Sequence, residues 1–301
     1  MNRFCALTGC SLPVQQAAMS RMATPALAAA VSEAGGLGML AVGRMRPEQV
    51  ARDIDATLAL TARPFGVGFI VHFLDRANLE LAAARVPIVE LFYGWPDETL
   101  VPGGVIVGWQ IGSLDEAKAA VDAGCRYVVA QGVEAGGHVR GTAPLATLVP
   151  AVRAALDVPI VAAGGIGSAA EVRAALALGA DAVRIGTRLL AADEADVHPV
   201  YVDRLIAADA DDTAYTEVFD VGWENAPHRV LRSSIDAVLA RDDAEPVGHV
   251  GAAALVRRSP TPPNRATTGN IDAMALYAGR SVGALTERAS AAEIIDELMA
   301  H

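Results

Sequence analysis

The strongest chemical signal in the chain is a histidine behind a flexible glycine pair, in the stretch Ala130-Gln-Gly-Val-Glu-Ala-Gly-Gly-His138. An imidazole titrates near neutrality and suits proton transfer, and the glycines give His138 the freedom to reach a ligand. Two other stretches, Ala163-Gly-Gly-Ile-Gly167 and Ile185-Gly-Thr-Arg188, have the composition of an anion cradle. Glycine lets the backbone approach a ligand closely, and N–H groups at a helix start point toward negative charge. The chemistry implied is proton transfer on or beside a phosphorylated ligand. His72 is placed to line the same region, whereas His198, His228, His249 and His301 have no such setting and read as structural. Trp95, Trp109 and Trp223 are too scattered for an aromatic platform and read as packing, with Trp109 and Phe92 close enough to strand ends to shape a pocket.

These residues need a scaffold, and the sequence supplies one by alternation. Short apolar runs recur at Leu12–Gln16, Gly38–Val42, Phe65–Ile70, Ile88–Phe92, Val105–Gln110, Tyr127–Gln131, Ile160–Ala163 and Ala182–Ile185, with Ala-rich helical stretches between them. Alternation of this kind marks parallel strands joined by crossover helices. Helix boundaries agree: Thr24-Pro25 opens a segment that stops at Gly35-Gly36, Ser168 opens one that stops at Gly179, and Ser113 with Glu116 resembles a capping box. Eight strands favour a closed (β/α)8 TIM barrel over an open doubly wound sheet. In such a barrel the residues just after each strand carry the function, and the loops after the last two strands commonly hold phosphate. All three motifs above lie at those positions.

Residues 1–192 therefore read as the barrel core. After about Ala191 the alternation ends; residues 193–275 read as a C-terminal insertion capping the barrel mouth, and 276–301 as a segment packing back on the barrel, closed by a helix that begins at Ser290 and Glu293.

Composition narrows the function. With 301 residues, 52% of them hydrophobic and 20% charged, the chain can bury a large core. A net charge of −11 offers no basic surface, so no nucleic-acid partner is expected. Cys5, Cys10 and Cys125 lack the spacing of a metal site or a disulfide framework, which suits a reducing, cytoplasmic compartment and no metal. Thr8, Gly9 and Ser11 break any secretion signal, and no apolar run is long enough to span a membrane. A small-molecule substrate is expected, and the composition leaves room for a homodimer.

Five stretches together resemble the nitronate monooxygenases, also called 2-nitropropane dioxygenases. They are Pro13–Met19 with Thr24–Gly38, Ala130–His138, Ala162–Ile166, Ile185–Arg188 and Tyr277–Gly283, and the likeness is weakest between about Asp193 and Val256. The resemblance implies FMN at the barrel mouth, with Ala18 and Met19 beside the isoalloxazine and Gln110, Gln131 and Gly137 near it. It places the phosphate on Gly164, Gly165, Gly186 and Thr187, and makes His138 the catalytic base. The implied reaction is oxidation of a nitronate, or of a nitroalkane after loss of its α-proton, with O₂ completing turnover to a carbonyl compound and nitrite.

Three positions depart from the family pattern. Gly68 stands where relatives often have Asn, Gln110 where some have Lys, and Val139 separates His138 from Arg140-Gly141. The Gln110 departure removes a positive charge that would stabilise reduced, anionic flavin. FMN-dependent enoyl-acyl-carrier-protein reductases share the Glu-Ala-Gly-Gly-His stretch, so NAD(P)H-driven reduction of an enoyl-thioester or quinone is the alternative. A phosphate-binding barrel without redox chemistry is a third reading, but Glu134 is its only well-placed carboxylate, and Glu90 reads as a structural hydrogen-bonding residue.

Overall fold

The computed structural model describes residues 2–241 and 245–300; His301 lies outside the described residues. The apolar runs form one parallel sheet of eight strands, numbered one to eight below: Val14–Gln16, Gly38–Val42, Phe65–Ile70, Ile88–Phe92, Ile106–Ile111, Tyr127–Gln131, Ile160–Ala163 and Ala182–Ile185. Each strand pairs with its successor from two to eight, strand eight pairs with strand one, and Gln15 bridges Leu37 beside strand two. The sheet thus closes on itself as a (β/α)8 barrel. Strand one starts at Val14 rather than Leu12, because Pro13 has no N–H to give the ladder and contributes only its carbonyl, which accepts from Val183.

The helices begin where their caps dictate. The Thr24 side chain accepts from the Leu27 N–H, and Ser168 and Ser290 form reciprocal capping boxes with Glu171 and Glu293. At Ser113 only half of the expected box forms: its hydroxyl accepts from the Glu116 N–H, but the Glu116 carboxylate instead accepts from Gly112 and pairs with Arg140.

Strand alternation sorts the side chains. Leu40, Val89, Val107, Val128, Ala162 and Val183 point outward to the helices, while Met39, Ile88, Tyr127, Val129, Val161 and Ala182 meet inside the barrel. The lower end of the barrel is plugged by a short helix, Arg3–Thr8, whose fully buried Phe4 lies edge-on to Tyr127 at 5.6 Å. The Tyr127 ring fills the space above Gly108, where an added Cβ would come within 2.1 Å of it.

Beyond strand eight the alternation stops. Helix Pro199–Ile206 leads to the antiparallel strands Thr213–Thr216 and His228–Leu231, and the latter also pairs with the two-residue strand Gly137–His138, so that His228 stands opposite His138. A small sheet of Gly248–Val250, Ala253–Leu255 and Thr267–Gly269 follows. Helix Ala291–Leu298 closes the described chain and buries Ala291, Ile294, Ile295 and Leu298. Among the described residues no helix is long and apolar enough to cross a membrane.

The Gly108–Tyr127 contact gives a direct test of the packing. Gly108→Ala should destabilise the fold by about 3 kcal/mol, since a rigid buried ring has nowhere to move. Thermal and denaturant unfolding would show the loss.

Candidate active site

A cavity of about 730 Å³ opens at the C-terminal ends of the strands. Its size suits a cofactor together with a small substrate. The residues assigned from the sequence to the base and the cofactor all line it: Ala18, Met19, Gln110, Gln131, Gly137, His138, Gly164, Gly165, Gly186 and Thr187; His72 does not. Val221, Trp223, the segment 259–262 and Tyr277 line the same cavity from beyond strand eight.

The loops after strands seven and eight form a cradle. Gly164 and Gly165 have φ of 116° and 70°, conformations that side-chain-bearing residues rarely adopt. The N–H groups of Gly164, Gly165 and Gly186 have no acceptor among the described residues and are free for an anion. Helix Ala169–Ala177 begins just beyond, with its positive end toward this cradle. Thr187 is buried, and its hydroxyl accepts from Gly279 at 2.9 Å, which ties the Tyr277–Gly283 segment to strand eight. Arg280 N–H donates to Glu134 carbonyl at 3.0 Å and joins that segment to the His138 loop.

His138 sits in a box of aromatic side chains. Its ring stacks on Trp223 with centroids 3.9 Å apart and planes at 25°, and it meets His228, Tyr277 and Tyr93 at 5.3, 5.6 and 5.9 Å. The Nε2 atom is buried and has no hydrogen-bond partner, and neither has the Oε1 of Gln131, whose amide nitrogen donates to the His138 carbonyl at 2.9 Å. Buried polar atoms are nearly always paired, so two orphans lining one cavity mark the place of a ligand. Burial, with His228 adding to it, pushes the His138 imidazole down from 6.5 to about 3. The ring is therefore neutral, with a lone pair available.

Sequence reasoning missed three residues here. His228, read as having no comparable setting, adjoins His138, yet both its nitrogens are engaged by backbone: Nδ1 with the Ala226 carbonyl at 2.9 Å and Nε2 with the Phe219 N–H at 3.3 Å. Trp223, read as packing, walls the space beside the His138 ring. Arg184, on strand eight, lines the cavity floor and pairs with Glu90. Its guanidinium also donates to Gln110 at 2.6 Å and Gln15 at 2.8 Å, while Tyr127 and Gln15 donate to Glu90 at 3.0 and 3.1 Å. Strand alternation was the available signal, since Glu90 and Arg184 each lie two residues beyond the inward-facing Ile88 and Ala182. Other expectations are met in part. Trp109 is fully buried and does not line the cavity, and Trp95 is exposed rather than packed. Phe92 does line the cavity, and His72 stacks against the far side of Trp223 at 5.7 Å. Glu134 accepts from Leu145 N–H at the start of helix Leu145–Ala155, a structural task.

The family model for nitronate monooxygenase matches residues 2–88 and 75–301, which is nearly the whole chain. The chain belongs to the nitronate monooxygenase family. Among its relatives, a (3aS,4S,5R,7aS)-5-hydroxy-7a-methyl-1-oxo-octahydro-1H-indene-4-carboxyl-CoA dehydrogenase of Rhodococcus jostii is 36% identical over 236 residues, covering 76% of this chain and 65% of that relative. FabK from Thermotoga maritima superposes with a TM-score of 0.83 at 30% identity, covering 99% of this chain and 94% of its own. A nitroalkane oxidase from Streptomyces ansochromogenes superposes with a TM-score of 0.81 at 29% identity, over 98% and 96% of the two chains.

The departures from the family pattern now have physical accounts. At Gly68 a Cβ would fall 2.7 Å from the Ala18 methyl, so the larger side chain often found there is excluded by the loop after strand one. The positive charge absent at Gln110 is present one side chain away, at Arg184. Val139 is buried, its N–H donates to Pro227 at 2.9 Å, and Arg140 turns away to Glu116.

Arg184 and Glu90 are both almost fully buried, so removing one leaves the other an unpaired charge. Arg184→Met should cost about 3–5 kcal/mol, and adding Glu90→Leu should recover much of it. Denaturant unfolding of the single and double variants measures both.

Proposed function

We propose that this protein oxidises nitronates, and nitroalkanes after removal of their α-proton, with FMN as the bound cofactor, His138 as the base, and O₂ as the final acceptor, yielding a carbonyl compound and nitrite. The observation that carries the reading is the unpartnered, buried Nε2 of a neutral His138 facing the cofactor-sized cavity beside the equally unpartnered Oε1 of Gln131. FMN fits the residues present: the free N–H groups of Gly164, Gly165 and Gly186 suit its phosphate, and Ala18, Met19, Gln110, Gln131, Gly137 and Thr187 surround the remaining space. When bound, FMN supplies a two-electron acceptor.

The protein's own part is to place a proton. A neutral imidazole accepts the α-proton of a nitroalkane at Nε2, and the resulting imidazolium stands against the nitronate anion just formed. Alone, a charge in this dry box is costly, which is why the free imidazole resists protonation. Paired with its product anion it is stabilised, because attraction between opposite charges grows as water is excluded. The aromatic walls serve that end, since they bring no competing polar group. A nitronate supplied ready-made needs only orientation.

The runner-up is NAD(P)H-dependent reduction of an enoyl-thioester or quinone in the same barrel. The Rhodococcus relative, named for a carboxyl-CoA substrate, favours keeping it in view.

Two experiments decide. In anaerobic, FMN-loaded protein, nitronate should bleach the flavin band and NADPH should not, with nitrite appearing on admission of air; bleaching by NADPH alone would transfer the assignment to the reductase. His138→Asn should retain FMN yet lose turnover of neutral nitroalkanes by about 10²–10⁴-fold, the usual worth of a general base. Unchanged nitroalkane turnover in that variant would remove His138 from the role.

A further inference from the structure

The aromatic box around His138 has one wall carried neither by a barrel strand or its loop nor by a segment bonded to one. Tyr93 follows strand four, Gln131 ends strand six, His228 lies on a strand bonded to the His138 strand, and Tyr277 sits in a segment tied to strand eight through Gly279. Trp223 alone comes from a surface turn, residues 221–225, whose Val221, Glu224 and Asn225 are exposed. Gly222 and Asn225 take φ of 74° and 54°, so the turn projects the indole inward between two left-handed residues.

The turn is held by a few identifiable contacts. Arg44, after strand two, lies over the Phe73 ring at 4.3 Å and donates to the Gly222 carbonyl at 2.9 Å. Phe73 meets Trp223 edge-on at 4.9 Å. On the other side Arg258 donates to the Val218 carbonyl at 2.8 Å and to Asp220 at 2.7 Å. The indole is 5% exposed and lies flat on the imidazole.

We propose that Trp223 is the positioning residue for His138: the latched turn presses the indole onto the imidazole face, fixing the plane of the ring and excluding water from Nε2. The inference rests on the reading of His138 as the base and deepens it, because it assigns the base's orientation and dryness to a residue outside the family's motifs. The surroundings allow this. The groups facing the imidazole are Tyr93, His228, Tyr277 and the Gln131 amide, none of them a carboxylate. Arg140 reaches only the far face of the box, at 5.8 Å from the Tyr93 ring, and Glu217 and Asp220 act on His228. No fixed negative charge favours the imidazolium here, so exclusion of water is the main force keeping the ring neutral.

The sign follows. An imidazole held low by burial stays neutral down to about 3, so nitroalkane oxidation has no acid limb in the ordinary pH range. Removing the indole admits water, and the proton should then be taken up closer to the ordinary value of 6.5.

The test is a proton NMR titration of His138 in the FMN-loaded protein, its signal identified by its absence in His138→Asn, alongside the pH profile of nitroalkane oxidation. Trp223→Ala should raise the titration by about one pH unit or more and create a matching acid limb in turnover. Trp223→Phe, which keeps an apolar ring, should move it less. Arg44→Met, which cuts the latch and leaves the indole, should fall between wild type and Trp223→Ala and serves should the alanine variant fail to fold. Coincident titrations in wild type and these variants would overturn the proposal. Unchanged nitroalkane turnover in His138→Asn would instead overturn the base assignment, and the titration would still report on Trp223.

Discussion

A guanidinium and a carboxylate share the inside of the barrel out of reach of water, and the level at which they meet divides the molecule into a part that folds and a part that binds. Below Arg184 and Glu90 the interior is Met39, Ile88, Tyr127, Val129 and Val161, plugged from underneath by Phe4. At and above the pair the inward positions are glutamines, glycines and small residues that leave the cavity open. Desolvating two charges is expensive, and the attraction between them offsets that only when their remaining hydrogen-bonding capacity is met. Gln15, Gln110 and Tyr127 meet it from strands one, five and six. One ion pair thus draws in five strands and fixes a polar floor for whatever the cavity holds.

The opposite side of the cavity is built on different terms. Its roof comes from segments far apart in sequence, joined by the pairing of Gly137–His138 with His228–Leu231. That register sets His228 against His138, and because backbone groups engage both nitrogens of His228, it stays a neutral neighbour rather than a rival proton acceptor. The barrel therefore supplies the rigid glycine cradle, and the excursion beyond strand eight supplies the surroundings of His138.

This division explains what was legible in the sequence. Strands repeat every two residues and stand between helices with recognisable caps, so all eight could be placed to within two residues, and the loops that follow them led to the residues lining the cavity. Arg184 and Glu90 were harder, because a single charge in an apolar strand does not announce its partner 94 residues away. For Trp223 and His228 only the location was legible, in an Asp220–His228 stretch able to reach the barrel mouth: residues 193–256 show no sustained period, and contacts across an antiparallel register or a latched turn depend on where two distant segments meet. The plug helix Arg3–Thr8 is only six residues long, too short for helical periodicity to stand out.

The same division bears on why relatives with this barrel carry such different names. In this chain the Glu-Ala-Gly-Gly-His stretch and the glycine loops set unpaired N–H groups near a neutral imidazole, and on the proposed function that arrangement is indifferent to whether electrons enter from a carbon acid or from a nicotinamide. Above the imidazole lies a chamber. Here it is walled by Tyr93, Trp223 and Tyr277, with no acidic group facing the ring, and a neutral substrate that becomes an anion as its proton leaves is the kind of reactant such a chamber rewards. On the proposed function, substrate choice lies with the chamber over His138, where the resemblance to the family is weakest and a turn lowers an indole onto the imidazole.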